Sequence, residues 1–433
     1  MAKKEKLNAE LWDKMHYMFR DYNDRMVHVV LNYDYQINID ALKSVIICFV
    51  EKIPVLHSSF HFSANDPYWQ AEEYTIEELL TVIDNPNDLD AAIEDFIMQY
   101  LPPENNLQIK FAVINKDGKS TLCLVANHMC MDGGDLKSFL HSFCEGYTEL
   151  VENEKSPVDI VRQGSRSFEE VYTDLSSTEK RAAKRLYKNV SNKDKHGFPF
   201  TADSKNDKSF IIKRKIDADK FAKLRAAGKS IGATVNDTLV GAFLYAMYDI
   251  AEFPTDEEVV VSCAIDLRRY MSNLDEAGYT NHTAYMPCST PGKARDIKES
   301  VEFAKISARK NKDDRFMGLY GLPLLKLAYN IMPYLASENV IKIGYSNPLL
   351  SMSNIGVLDT AKLSLCGNPP VDGFMTGAVK YKPFALMSAT SMNGEMTLVM
   401  CERGNEKDKE IIEKFFDLLE KNFDDFIKLT EIE

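Results

Sequence analysis

Val125-Ala126-Asn127-His128-Met129-Cys130-Met131-Asp132-Gly133-Gly134 sets a histidine at the end of an apolar, strand-like run. An Asp-Gly turn that opens a helix follows four residues later. A histidine held at such a junction can act as a general base near neutral pH, because its reference pKa is about 6.5. By Asp132 the chain has already changed direction at Gly133-Gly134. Its carboxylate is therefore expected to be fixed elsewhere and not to converge with His128 on one reacting atom. The spacing alone is equally compatible with a core histidine beside a turn.

Working outward, Ile109 to Ile114 and Ser120 to Ala126 flank Asn115-Lys116-Asp117-Gly118-Lys119, a hairpin signal with Asp-Gly at its tip. Residues 135 to 150 read as a helix whose core stripe is Leu136, Phe139, Leu140, Phe143, Tyr147 and Leu150. Upstream, Met26 to Asn32 reads as a strand, and a helix opens at Asp40 as N-cap. Pro54 ends that helix, and Val55 to Phe62 is again strand-like. Asp90 to Leu101 reads as a helix with Asp90 as N-cap.

Downstream, one helix is expected near Phe168 to Leu186. Ser191 to Asp207 offers almost nothing to bury and is the candidate linker. The division is 1–190, 191–207 and 208–433. Beyond the linker, Phe210 to Ile216, Val259 to Ile265 and Thr283 to Cys288 read as strands. A helix opens at Thr234 with Asp237 completing a capping-box variant, and further helices are expected near Asp296 to Lys310 and Pro323 to Leu335. Leu386 to Met392 and Glu395 to Cys401 form a second hairpin around Asn393-Gly394, followed by a helix from about Lys407.

The 433 residues are 45% hydrophobic and 27% charged, an ordinary globular composition. At roughly 100–200 residues per domain, the length suits two to four domains or one pseudo-duplicated fold. A net charge of −13 argues against a nucleic-acid partner, which usually needs a basic face. No apolar run approaches the about 18 residues of a membrane span. The eight cysteines include no Cys-x-x-Cys, which suggests reduced thiols in a cytoplasmic protein.

The motif resembles the His-His-x-x-x-Asp-Gly of the chloramphenicol acetyltransferase-like superfamily, which includes nonribosomal-peptide condensation domains, alcohol acetyltransferases and polyketide-associated acyltransferases. Further segments in the same order look like that group's: Ile39-Asp40-Ala41-Leu42, Ile53-Pro54-Val55-Leu56, Gly232-Ala233-Thr234-Val235-Asn236-Asp237, Ala264-Ile265-Asp266-Leu267-Arg268-Arg269 and Ser353-Asn354-Ile355-Gly356. The likeness implies an α/β fold with mixed sheets, in which two such subdomains surround a central tunnel. It implies His128 as general base in moving an acyl group from a thioester to an alcohol or amine. Asp132, Gly133 and Arg268 would be structural at the site, with Arg268 as the partner of Asp132. Asn127, Met129, Met131, Ser353 and Asn354 are the candidate tunnel or substrate residues. Asn127 departs from the pattern, standing where the first histidine is usual, which leaves substrate preference or loop geometry open.

No permanently bound cofactor and no metal is expected. The co-substrate would be acyl-CoA or a phosphopantetheinyl thioester, the latter on an acyl carrier protein in trans, and the acceptor a small molecule. The absence of a recognisable carrier or adenylation module favours the free-standing alcohol-acyltransferase branch, and a monomer is expected. The competing class is a non-catalytic condensation-like module that recruits a carrier protein or partner, against which an intact His128 and Asp132 count. His57 and His61 are spaced i, i+4, but on a strand they stand about 13 Å apart, too far for one metal. Cys130 reads as packing. The basic stretch Lys293 to Arg315 suits a coenzyme phosphate or a solvated helix face equally well.

Overall fold

Two large mixed sheets organise the computed structural model, which describes residues 5–62, 66–183, 195–272, 274, 277–320, 327, 336, 338–339 and 347–431. In the N-terminal half five strands stand in the order Asp372–Thr376, Met26–Tyr33, Lys119–Asn127, Ile109–Lys116 and Leu80–Asp84. Only the last pair is parallel. The hairpin between Ile109–Lys116 and Lys119–Asn127 closes on Asp117 at φ 52° and Gly118 at φ 76°. These are the positive-φ positions of a type I′ turn, which Asp-Gly adopts at little cost. Helices Ile39–Lys52 and Gly133–Asn153 bury their apolar stripes in this half. Phe49 meets Phe139 edge-on at 5.4 Å and Phe111 stacks on Phe143 at 5.4 Å.

A seven-stranded sheet forms the other half. Thr283–Thr290, Val259–Asp266, Leu350–Val357, Ala385–Met392, Glu395–Gly404 and Lys380–Tyr381 follow one another, and Lys208–Ile216 also pairs with Glu395–Gly404. Its second hairpin turns at Asn393 (φ 51°) and Gly394 (φ 83°). Helices Val235–Ile250, Ile297–Lys312 and Glu406–Glu431 share the core, where Phe243 meets Phe415 edge-on at 5.1 Å.

The halves interlock. Asp372–Thr376 comes from late in the chain yet pairs with Met26–Tyr33, and Leu358, Leu363 and Leu365 bury in the N-terminal core. The stretch 191–207 does not behave as a free linker over its described part. Phe198 is buried edge-on against Phe415 at 5.2 Å. Lys382 Nζ lies 2.8 Å from both Asp207 and Asp408. Phe200 packs against the same core and His196 Nε2 stands 2.8 Å from Glu257 Oε2, so two aromatics, a buried histidine and a buried carboxylate dock a segment that is otherwise polar.

Local boundaries depart from expectation for identifiable reasons. Asn38, not Asp40, caps Ile39–Lys52, accepting from the amides of Asp40 and Ala41 at 3.1 Å. Asp88, not Asp90, caps Leu89–Ile97. Asp40 and Asp90 sit in the first turn, where the helix dipole favours negative charge. Pro54 opens a 3-10 turn over Pro54–His57, so the strand is only Ser58–His61 and His57 lies off it. The segment after Phe168 is a 3-10 turn (Phe168–Tyr172) and a separate helix (Ser177–Ala183). Ser176 and Glu179 exchange the capping bonds that start the second one. Residues 184–186 and the helix expected over Pro323 to Leu335 lie outside the described residues, apart from Leu327.

Candidate active site

The loop Asn127–Asp132 leaves the strand Lys119–Asn127 at the junction of the halves and borders a cavity of about 960 Å³. Asn127, fully buried, shapes the start of the loop. Its side-chain amide donates to Gln108 Oε1 at 2.8 Å and its Oδ1 accepts from the Met129 amide at 3.0 Å. Met129 and Met131 are buried in the N-terminal core, and none of these three lines the cavity. Their assignment to the tunnel is thus corrected. The loop turns its even-numbered His128 outward and uses the two methionines to anchor its back. Cys130 lies in the same core, its thiol pushed up by burial.

His128 lines the cavity, and its amide donates to the Arg25 carbonyl at 2.7 Å. Its Nδ1 stands 2.8 Å from Asn281 Oδ1, while Asn281 Nδ2 donates to the His128 carbonyl at 2.6 Å. Because that amide nitrogen is committed to a carbonyl, Oδ1 must be the acceptor facing the ring. Nδ1 therefore carries the proton and Nε2 keeps its lone pair. Nothing among the described residues hydrogen-bonds Nε2. Burial lowers the His128 pKa, outweighing the Asp132 charge and the Asn281 bond that raise it.

Asp132 borders the same cavity, but its carboxylate is 1% exposed and turned into a set of donors. Its Oδ1 accepts from the Asp135 amide at 2.9 Å, capping the helix Gly133–Asn153. Its Oδ2 accepts from Arg268 Nη1 at 3.0 Å, the His282 amide at 2.7 Å and Thr283 Oγ1 at 3.1 Å. Burial pushes this carboxyl up, but Arg268 and the amides outweigh it and hold it down at about 2. Arg268 also reaches Asp135 at 2.8 Å and Asp266 at 3.0 Å, and Arg162 pairs with Asp135. Three carboxylates and two guanidiniums thus form one cluster, in which Arg268 ties the His128 loop to the second half and Arg162, from the first half, supports Asp135.

The close approach falls on Gly134 rather than Gly133. A Cβ at Gly134 would stand 3.1 Å from Arg268 Nη1 and 3.3 Å from Asp132 Oδ1, whereas one at Gly133 meets nothing within 4 Å. Gly134→Ala should cost about 1–3 kcal/mol in denaturant unfolding, with Gly133→Ala close to neutral. Equal losses at the two positions would contradict this packing.

Ser353 and Asn354, on Leu350–Val357, line the cavity with Arg268. Of the basic stretch, Lys293, Arg295 and Arg315 pair with Asp249, Glu299 and Glu179, and none of the three lines the cavity. His57 and His61 bond separately to the Glu72 carbonyl and Ser59. Sequence reading missed His16, on the helix Leu11–Met18, whose ring stacks on His128 with centroids 4.6 Å apart. Burial, then His128, Arg25 and Lys380, hold His16 well below its usual pKa. It missed Asn281, Asp135, Arg162 and Lys380 as well.

If the neutral imidazole is the working base, activity falls as pH drops through its pKa. The lowered pKa puts the acid limb of kcat/KM below the reference value of about 6.5. A limb centred at or above that value would show that His128 is not the titrating group.

No family model matches the chain, and no curated protein matches it by sequence. Solved structures do. Polyketide synthase associated protein 5 from Mycobacterium tuberculosis is 17% identical with a TM-score of 0.67, over 96% of each chain. The trichothecene 15-O-acetyltransferase from Fusarium sporotrichioides is 11% identical with a TM-score of 0.70, over 98% of this chain and 96% of its own. The first condensation domain of the CDA synthetase is 13% identical with a TM-score of 0.67, over 98% and 97%. With mixed sheets in two interlocked halves, this chain has the chloramphenicol acetyltransferase-like fold that those proteins share.

Proposed function

We propose that the protein is an acyltransferase moving an acyl group from a thioester to an alcohol or amine, with His128 as general base. The carrying observation is the ring of His128: Nδ1 bound to Asn281 and Nε2 unengaged on the cavity side. In the proposed step Nε2 takes the proton of the acceptor hydroxyl or amine as its heteroatom attacks the thioester carbonyl. A C–O or C–N bond forms and the C–S bond breaks. The proton passes from His128 to the departing thiolate, leaving an ester or amide and a free thiol. Asp132 holds the loop and exchanges no proton with substrate, since both its oxygens are engaged by donors. The donor is acyl-CoA or a carrier-bound phosphopantetheinyl thioester, used as a co-substrate.

The test is release of coenzyme A thiol from acetyl-CoA in the presence of a panel of alcohols and amines. Release that depends on the acceptor supports acyl transfer. A rate unchanged by every acceptor would argue for the reading in which the fold only recruits a partner.

A further inference from the structure

Lys380 stands in the wall of the same cavity as His128 and is 6% exposed. Among the described residues nothing hydrogen-bonds its Nζ, and no carboxylate oxygen lies within the 4.0 Å of an ion pair. Burying an ammonium without a partner is costly, so the charge balance around it is informative. Its cross-strand neighbour is Glu402, and Asp24 is the other nearby carboxyl. Asp24 Oδ1 is taken by the amides of Met26 at 2.9 Å and Val379 at 3.0 Å, and burial pushes its pKa up to about 7. Burial pushes Glu402 well above the carboxylate range, and its buried Oε2 has no hydrogen-bond partner among the described residues.

A second buried cation, Arg25, stands near Asp24 and His16 but is not among the residues of the cavity wall. Arg25 is 2% exposed; among the described residues its Nε and Nη1 have no hydrogen-bond partner, while Nη2 donates to the Tyr100 hydroxyl and the guanidinium packs over the Tyr17 and Tyr100 rings. It adopts φ 63°, a conformation uncommon for a side chain of this size. Its carbonyl is the one that holds the His128 amide. His16 and His128, which also lie near Lys380, both have depressed pKa values and so offer it no charged partner. Lys380 is thus the basic side chain on the cavity wall beside His128, without a direct ion pair among the described residues; burial lowers its own pKa and drives the nearby carboxyls toward the neutral form.

We propose that this end of the cavity receives a carboxylate of the substrate, paired with the Lys380 ammonium. Assigning that carboxylate to a substrate rests on the acyl-transfer reading; anion binding itself does not. The carboxylate belongs either to the acceptor, as in a hydroxy or amino acid, or to the far end of a dicarboxylic acyl group.

The probes are hexanoate and its uncharged counterpart hexanamide, titrated by calorimetry into the wild-type protein, Lys380→Met and Lys380→Arg near neutral pH. Wild type should bind hexanoate about 10–100-fold more tightly than hexanamide, the range of one charge-assisted hydrogen bond. Lys380→Met should erase the preference and Lys380→Arg should keep most of it. Equal binding of acid and amide by wild type overturns the proposal, and does so even if the methionine variant fails to fold. A preference that survives in Lys380→Met also overturns it. A hexanoate preference in a protein that transfers no acyl group would leave the anion site standing while the acyltransferase reading falls.

Kinetics then locate the carboxylate. A hydroxy acid preferred over its methyl ester, with acetyl-CoA as donor, places it on the acceptor. Succinyl-CoA preferred over acetyl-CoA, with a plain alcohol, places it on the acyl group. No preference in either pair would overturn the substrate assignment.

Discussion

Replacing His128 with alanine should lower kcat by roughly 10²–10⁴, the usual contribution of a positioned general base, and leave the fold intact. The loop does not depend on the imidazole for its shape. Asn127 fixes its start, the His128 amide bonds to Arg25, and Met129 and Met131 pack behind it. What disappears is one ring nitrogen facing the cavity, the stacking surface for His16 and the Nδ1 bond to the buried Asn281. Steady-state kinetics paired with thermal unfolding separate the two effects. A large fall in turnover with a cooperative melting transition lowered by only a few degrees, as the unpaired Asn281 requires, is the expected pair, and wild-type turnover in the alanine variant would remove the general-base assignment.

The second large effect is on stability. Asp132→Asn should cost on the order of 3–5 kcal/mol, as removing one member of a buried ion pair does. Arg268 keeps Asp135 and Asp266, which draws the loss toward the lower figure. Arg268→Met should cost at least as much, because it leaves Asp132 and Asp135 side by side. Asp135 then has only the Arg162 guanidinium, and burial already raises its pKa. The double variant Asp132→Asn/Arg268→Met should recover part of the loss. A double-mutant cycle read by urea unfolding should return a coupling of about 1–3 kcal/mol; strict additivity would mean that the pair carries no interaction energy.

The parts of this molecule that could be read along the chain are those with a local cause. Asp117-Gly118 and Asn393-Gly394 announce hairpins because few other pairs accept two positive φ values. Gly133–Asn153 shows itself through its apolar stripe, and Thr234 through the capping bonds it makes with Asp237. Leu350–Val357 and Asp372–Thr376 have weak alternation, since each is held by neighbours far away in sequence. The same division runs through the site. His128 and Asp132 stand in one short segment with a recognisable spacing, and Arg268 closes a segment with its own pattern. His16 and Asn281 come from 112 residues before and 153 residues after His128. No periodicity links them, and only the folded chain brings them to the ring. Lys380 reads as an ordinary strand-edge lysine until its burial and lack of a partner are seen.

The proposed function depends most on acyl transfer taking place at His128. The direct measurement is mass spectrometry of products after wild type and His128→Ala are incubated with mixed acyl-CoA donors and a set of alcohols and amines. New masses equal to acceptor plus acyl group, present with wild type and strongly reduced with the variant, are the predicted result. Products formed equally by both proteins, or by neither with either CoA or carrier-bound donors, would contradict it.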